Sequence, residues 1–317
     1  MYSFATYLKK NKQVGAVTGI NNAYVMVEGI PEVKVNELVS FENRAIGLAA
    51  QLLPETVRVM HLSGPVPALG TQATLTRELM TVKVDSQVLG ALLDGLGRVV
   101  QSGGGSEEQL PAASLPIDGR PLPLNRRRMV TQALETGVAI VDILVPLARG
   151  QRELVIGDRK TGKTEFVRQT MLSHMFNGGI CVYGGIARRA ADVNTLTTYF
   201  QSKGLLNHLV RVVSMATDTT AACYLAPYTA MAVAEYFRDL GREVVIVLDD
   251  MTLHAKYCRE LALLARQPPD VTLILGIFFT RIRGLWNEPA CLIKVPLLVC
   301  PLPIRSWVIC RVISRPT

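Results

Sequence analysis

Histidine and aromatic residues are scarce in this chain of 317 residues: there are four histidines, two tryptophans, and Phe, Tyr and Trp together make up 6%. His174, His208 and His254 have no partner at metal-ligand spacing and read as surface or capping residues. No basic stripe carries interleaved aromatics, which counts against a nucleic-acid-binding surface. The six cysteines, Cys181, Cys223, Cys258, Cys291, Cys300 and Cys310, include neither a C-x-x-C pair nor a compact disulfide framework, so a reducing compartment is expected. Long apolar runs are missing as well. The most apolar stretch, VTLILGIFFT from Val271 to Thr280, is about half of the roughly 20 residues that cross a bilayer. The opening MYSFATYLKK has no extended apolar core of the secretory type. The chain is therefore expected to be soluble.

The net charge of +8 would ordinarily invite a polyanion partner, but its distribution weakens that reading. From Asp270 onward five Arg and one Lys stand against Asp270 and Glu288, so this short tail holds half of the excess. No nucleic-acid partner is expected. About half of the residues are apolar, which excludes general disorder, and the length predicts about two domains.

Residues 1–84 are a run of short β-branched segments, QVGAVTGI, AYVMVEGI and ELVSFE among them, separated by Gly, Asn and Pro. That rhythm predicts a small all-β domain, a sandwich or barrel. Gln101 to Pro123 is rich in Gly, Ser and Pro and reads as a surface excursion. Within residues 85–269 apolar runs of strand length, ELVIG, ICVYGGI, HLVRVVSM and EVVIVLDD, alternate with helical stretches at Lys163 to Met175, Asp192 to Lys203 and Tyr224 to Leu240. Such alternation predicts an α/β fold with a doubly wound, mostly parallel sheet.

GDRKTGKT fits the phosphate-cradling pattern G-x-x-x-x-G-K-[ST] at Gly157, Asp158, Arg159, Lys160, Thr161, Gly162, Lys163 and Thr164. A buried-strand run precedes it and a helical segment follows. In that setting the glycines let backbone N–H groups approach phosphates, Lys163 reaches the outer phosphates, and the Thr164 hydroxyl can ligate Mg2+. The complementary acid should end a neighbouring buried strand, and EVVIVLDD supplies Asp249 and Asp250. Two aspartates at a strand end commonly cap a helix. Beside a phosphate loop, Asp249 is the residue expected on the metal side.

Three longer runs, ETGVAIVDILVPLARGQRELVIGDRKTGKT, YLAPYTAMAVAEYFRDLGREVVIVLDDMT and KYCRELALLARQPP, resemble the alpha subunit of F-type rotary ATP synthases. The resemblance runs from about Gln13 to Pro269 and is carried more weakly in the first part by GINNAYVMVEGI and NELVSFENRAIGLA. It implies a β-barrel followed by a RecA-like nucleotide-binding domain with bound ATP or ADP and Mg2+. It also implies beta subunits alternating with it in a hexameric ring, a central stalk subunit, and a proton- or sodium-driven membrane sector to which the ring is peripheral. The location implied is the cytoplasmic face of a bacterial inner membrane, or the matrix or stroma side of an organelle inner membrane. The related hexameric nucleic-acid and secretion motors would need a catalytic glutamate and, for nucleic acid, a basic pore or aromatic cleft; neither is visible.

In the catalytic beta subunits of this family a glutamate after the strand that follows the phosphate-loop helix polarises the attacking water, and the alpha subunits carry glutamine there. The matching residue here is Arg188, which cannot accept a proton, so the resemblance implies that the chain has no catalytic residue and holds nucleotide without splitting it. Arg188 could lie against a γ-phosphate, or point outward as half of a solvated pair with Arg189, the ordinary state of surface arginine. Lys160 replaces the family's usual glutamine and adds positive charge to the loop.

After Pro269 the resemblance stops, and residues 270–317 form a tail with no clear period. When codons are read from their third base, residues 269–273 permit G-R-D-A-Y, Trp286-Asn287 forces glutamate, and Trp307-Val308 forces glycine, all resembling the family's continuation. The tail is therefore expected to be out of frame after loss of one nucleotide, leaving a truncated nucleotide domain with no helical C-terminal domain. Two further expectations are a sheet lacking its last strands and a product unable to complete an active ring; the alternative is an inactive pseudogene product.

Overall fold

A computed structural model describes residues 4–103, 111–117, 132–150, 152–156, 161–266 and 307–313. The first helix, α1 (Phe4–Asn11), docks on the barrel that follows it: Tyr7 is buried, its hydroxyl donates to Glu78 Oε1 at 3.1 Å, and Asn11 Nδ2 donates to the Leu75 carbonyl at 2.6 Å. The barrel strands are β1 (Gly15–Asn21), β2 (Tyr24–Glu28), β3 (Glu37–Phe41), β4 (Ile46–Leu52), β5 (Thr56–Ser63) and β6 (Gln72–Leu79). They close in the order β1-β2-β5-β4-β3-β6, with β1 pairing back onto β6, so no edge is left open. Val17, Val25, Val27, Val39, Phe41, Val59 and Leu75 fill the inside.

Past the barrel, β7 (Thr81–Val84) is followed by the short strands β8 (Leu92–Leu93) and β9 (Val99–Gln101), and β10 (Ala113–Pro116) returns antiparallel to β7. A small ribbon, β11 (Ala133–Leu134) with β12 (Leu147–Ala148), encloses α2 (Ala139–Leu144). The main run is then β13 (Arg152–Ile156), α3 (Lys163–Phe176), β14 (Ile180–Arg188), α4 (Ala190–Ser202), β15 (Leu209–Met215), α5 (Thr220–Asp239), β16 (Val244–Asp249) and α6 (Met251–Leu264). The last described element is β17 (Trp307–Ile313).

The seven-stranded sheet has the order β13-β17-β16-β14-β15-β8-β9, and β16, β14, β15 and β8 run parallel. Its inner strands are continuous apolar runs because helices cover both faces. Val182, Ile186, Val212, Ile246 and Leu248 pack against α5 and α6 on one side. Cys181, Tyr183, Val213, Val245 and Val247 face α3 and α4 on the other, with Met171 and Phe200. A fully buried side chain of this size contributes about 1.5–3 kcal/mol. The first of these cores also takes in Tyr24, Leu48 and Met60 from the barrel, so the barrel is seated directly on α5 and α6.

Two sequence expectations change here. α5 starts at Thr220 rather than Tyr224, because the Thr219 side chain accepts from the Ala222 N–H at 3.2 Å and caps the helix. The expected gap in the sheet is also filled. β17 lies between β13 and β16 and pairs antiparallel with both, drawing residues 307–313 into the nucleotide domain.

Candidate functional site

One end of the candidate site is the N-terminus of α3, which follows the phosphate-loop pattern. Gly162 caps the helix with φ 86°, a left-handed conformation that glycine adopts without steric cost. Among the described residues a Cβ there would meet nothing within 4 Å, so the left-handed conformation is what favours glycine. Among the described residues no side chain caps the helix, so its first-turn N–H groups are left for an anion. Lys163 Nζ donates to Thr161 Oγ1 at 3.4 Å, and Thr161 and Thr164 are exposed. Gly157, Asp158, Arg159 and Lys160 lie outside the described residues.

The opposite end lies where β14 and β16 finish side by side, with Gly185 in register with Asp249. The Tyr183 hydroxyl donates to Asp249 Oδ2 at 2.9 Å. Beyond Gly185 the strand bulges: the pairing passes from Gly185↔Val213 to Arg188↔Met215, leaving one extra residue in β14, and Ala187 takes φ 50°. A bulge re-aims the next side chain. Arg188 thereby turns onto Asp249, its Nη1 donating to Oδ1 at 3.3 Å and its Nη2 lying 3.3 Å from Oδ2. Gly185 makes the room, since a Cβ there would sit 2.9 Å from Arg188 Cγ and 3.0 Å from Tyr183 Cε1.

The outward, solvated Arg188 expected from sequence is therefore corrected. Its side chain is 22% exposed and that of Asp249 13%, whereas Arg189 is 84% exposed and pairs with Asp192 at 3.6 Å. Burial pushes the Asp249 carboxyl up, against the opposing pull of Arg188 and the Tyr183 hydrogen bond. Burial, then the Asp249 charge, holds the Tyr183 phenol well above its ordinary value. For Arg188 burial acts downward, but Tyr183, Asp249, Asp192 and Asp250 together raise it, so it stays a cation. The neighbouring aspartate plays a separate part, since Asp250 accepts from the Thr252 N–H at 2.7 Å and caps α6.

Magnesium fits one end of this arrangement and not the other. The Thr164 hydroxyl is exposed at the head of α3 and can reach a metal that arrives with a nucleotide. Asp249 already receives Tyr183 and both Arg188 nitrogens, so the metal role expected of it is not supported by its surroundings. Among the described residues no cluster of three His, Cys, Asp or Glu side chains could hold a metal ion.

The histidines also need correction. His174 and His254 are buried inside helix interfaces, where the sequence reading made them surface or capping residues. His174, on α3, faces the Glu243 carbonyl at 3.3 Å, and burial followed by the Arg149 charge pushes it down to about 4. His254, on α6, donates from Nε2 to the Tyr224 carbonyl at 3.0 Å, and burial lowers it to about 4 as well. The residues that sequence reasoning missed are Tyr183 and Gly185. Their spacing of two in β14 puts them on one face, and a phenol in a buried strand needs a hydrogen-bond partner.

The family model described as ATP synthase alpha/beta family, nucleotide-binding domain, matches residues 137–288. The match spans the phosphate loop, both strands of the Arg188–Asp249 pair and a further stretch beyond Pro269. Residues 137–288 belong to this ATP synthase family. Curated relatives include ATP synthase subunit alpha 2 of Polaromonas naphthalenivorans, 38% identical over 276 residues, covering 86% of this chain and 52% of the relative. ATP synthase subunit alpha 1 of Chlorobium luteolum is 37% identical over 278 residues, covering 86% and 53%. ATP synthase subunit alpha of Ehrlichia ruminantium is 34% identical over 287 residues, covering 87% and 56%. The chain spans about half the length of these ATP synthase relatives. No helix among its described residues is long and apolar enough to cross a membrane.

Proposed function

We propose that this chain is a non-catalytic, nucleotide-holding subunit of the alpha type. It takes ATP or ADP by its phosphates on Gly157 to Thr164, with Thr164 on any accompanying Mg2+. The observation that carries this reading is the state of the acids around Arg188. Asp249, Asp192 and Asp250 are the carboxylates whose charges act on it, and each is engaged: Asp249 with Arg188 and Tyr183, Asp192 with Arg189, Asp250 as a helix cap. General-base catalysis needs a group within reach of water that can take its proton, and Arg188 cannot. The partners proposed are beta subunits in an alternating ring and a central stalk, on a membrane sector driven by protons or sodium. The names of the relatives support this, as does the exposed apolar group Ile140, Ile143, Leu144 and Val145 on and after α2, the kind of patch that marks a protein interface.

Equilibrium dialysis of the purified chain against ATP tests the binding. Lys163→Ala should weaken it by about ten- to a hundredfold, the worth of one charged hydrogen bond of about 1.5–3 kcal/mol. Unchanged affinity would remove the phosphate loop from the account. For the tail we propose the shifted reading frame given by the forced glutamate and glycine codons. Resequencing the coding DNA through codon 269 decides it, an intact frame with no family-like shifted sequence being the contrary result.

A further inference from the structure

The Arg188–Asp249 pair is built rather than incidental. Three separate devices converge on it: the bulge at Ala187 that turns the arginine inward, the absent side chain at Gly185 that admits its stem, and the Tyr183 hydroxyl that fixes the carboxylate. A carboxylate offers about four lone-pair sites. Tyr183 and the two guanidinium nitrogens occupy three of them, and the positive charge 3.3 Å away offsets the charge of Asp249, while Asp250 caps α6 and Asp192 pairs with Arg189. Mg2+ keeps most of its waters and recruits strand-end carboxylates through their charge and through water-mediated hydrogen bonds. Here both attractions are largely spent, and displacing Arg188 would leave a mostly buried guanidinium without its partner, which is costly.

We propose that Arg188 is the resident cation of the nucleotide site, standing at Asp249 where a divalent metal would otherwise be anchored, so that this chain binds nucleotide with little dependence on magnesium. The inference rests on the nucleotide-holding reading and specifies its cofactor requirement. The metal is then a passenger on the nucleotide, touching Thr164 and gaining little from the protein's strand end.

The test is the affinity of the full chain for ATP in excess Mg2+ and in excess EDTA, by calorimetric titration. The wild-type ratio of the two dissociation constants should stay below about threefold. In Arg188→Gln, which frees Asp249, the ratio should rise to about tenfold or more, equivalent to about 1.4 kcal/mol of recovered metal dependence. Arg188→Lys keeps the charge and should stay near wild type. Tyr183→Phe, which returns one lone pair without altering charge, should raise the ratio slightly. Circular dichroism and melting curves establish that each variant is folded, and the wild-type ratio is decisive even if Arg188→Gln is not. A wild-type ratio above tenfold that Arg188→Gln leaves unchanged overturns the inference while leaving nucleotide binding intact. Binding in neither condition removes the nucleotide reading, and the inference with it.

Discussion

The two ends of the site are made from the same kind of junction, a strand running into a helix, yet they are in opposite electrostatic states. At the head of α3 the helix has no side-chain cap and Thr161 and Thr164 are exposed, so positive potential faces outward. At the end of β16 the charges are turned on each other: Asp249 is held by Arg188 and Tyr183, and Asp250 caps α6 itself. The first end is open to an anion from outside. At the second, Asp249 is already paired with Arg188. Holding a phosphate needs only the first, whereas activating a water needs an accessible base at the second, and that contrast is what the proposal of binding without catalysis rests on.

Both ends hang on helices anchored by a buried neutral histidine, His174 on α3 and His254 on α6, which gives the largest expected effect. An unfolded histidine titrates near 6.5 and each of these near 4, so between those values the unfolded chain binds more protons. Stability is complete above pH 6.5 and drains as pH falls toward 4, by about 3 kcal/mol for each ring. Chemical denaturation at pH 7.5 and pH 4.5 should show that loss, and equal midpoints would mean the rings are not held neutral. A smaller effect should strike the closed end alone. Gly185→Ala drives a methyl against Arg188 and Tyr183, costing about 1–3 kcal/mol as overpacking does. It should loosen the Arg188–Asp249 pair while ATP affinity changes little; a large affinity loss would show that the two ends are coupled. The smallest change belongs to the open end. Gly162→Ala meets no neighbour among the described residues but must adopt φ 86°, a strain of about 1–2 kcal/mol, visible as a modest drop in melting temperature.

The strand and helix that flank the phosphate-loop pattern were legible because they adjoin one contiguous run of eight residues, and both can be read from the same segment. The barrel was legible from short alternating runs, although its closure through β1 and β6 was not, since that pairing joins residues far apart in the chain. Asp249 was found from its strand. Its environment was not, because Arg188 reaches it across 61 positions and only after a bulge fixed by pairing with β15. His174 was misplaced for the same reason, its partner carbonyl lying 69 positions away. The antiparallel entry of β17 between β13 and β16 depends on pairing alone and leaves no trace in local pattern.

Steady-state ATP hydrolysis by the isolated chain, free of any beta subunit, bears most directly on the separation of holding from splitting. With Arg188 in the place of a base and its neighbouring carboxylates engaged, the expected result is saturable ATP binding by the wild type and no turnover above the buffer rate in either the wild type or Lys163→Ala. Sustained hydrolysis at several turnovers per second that disappears in Lys163→Ala would contradict it.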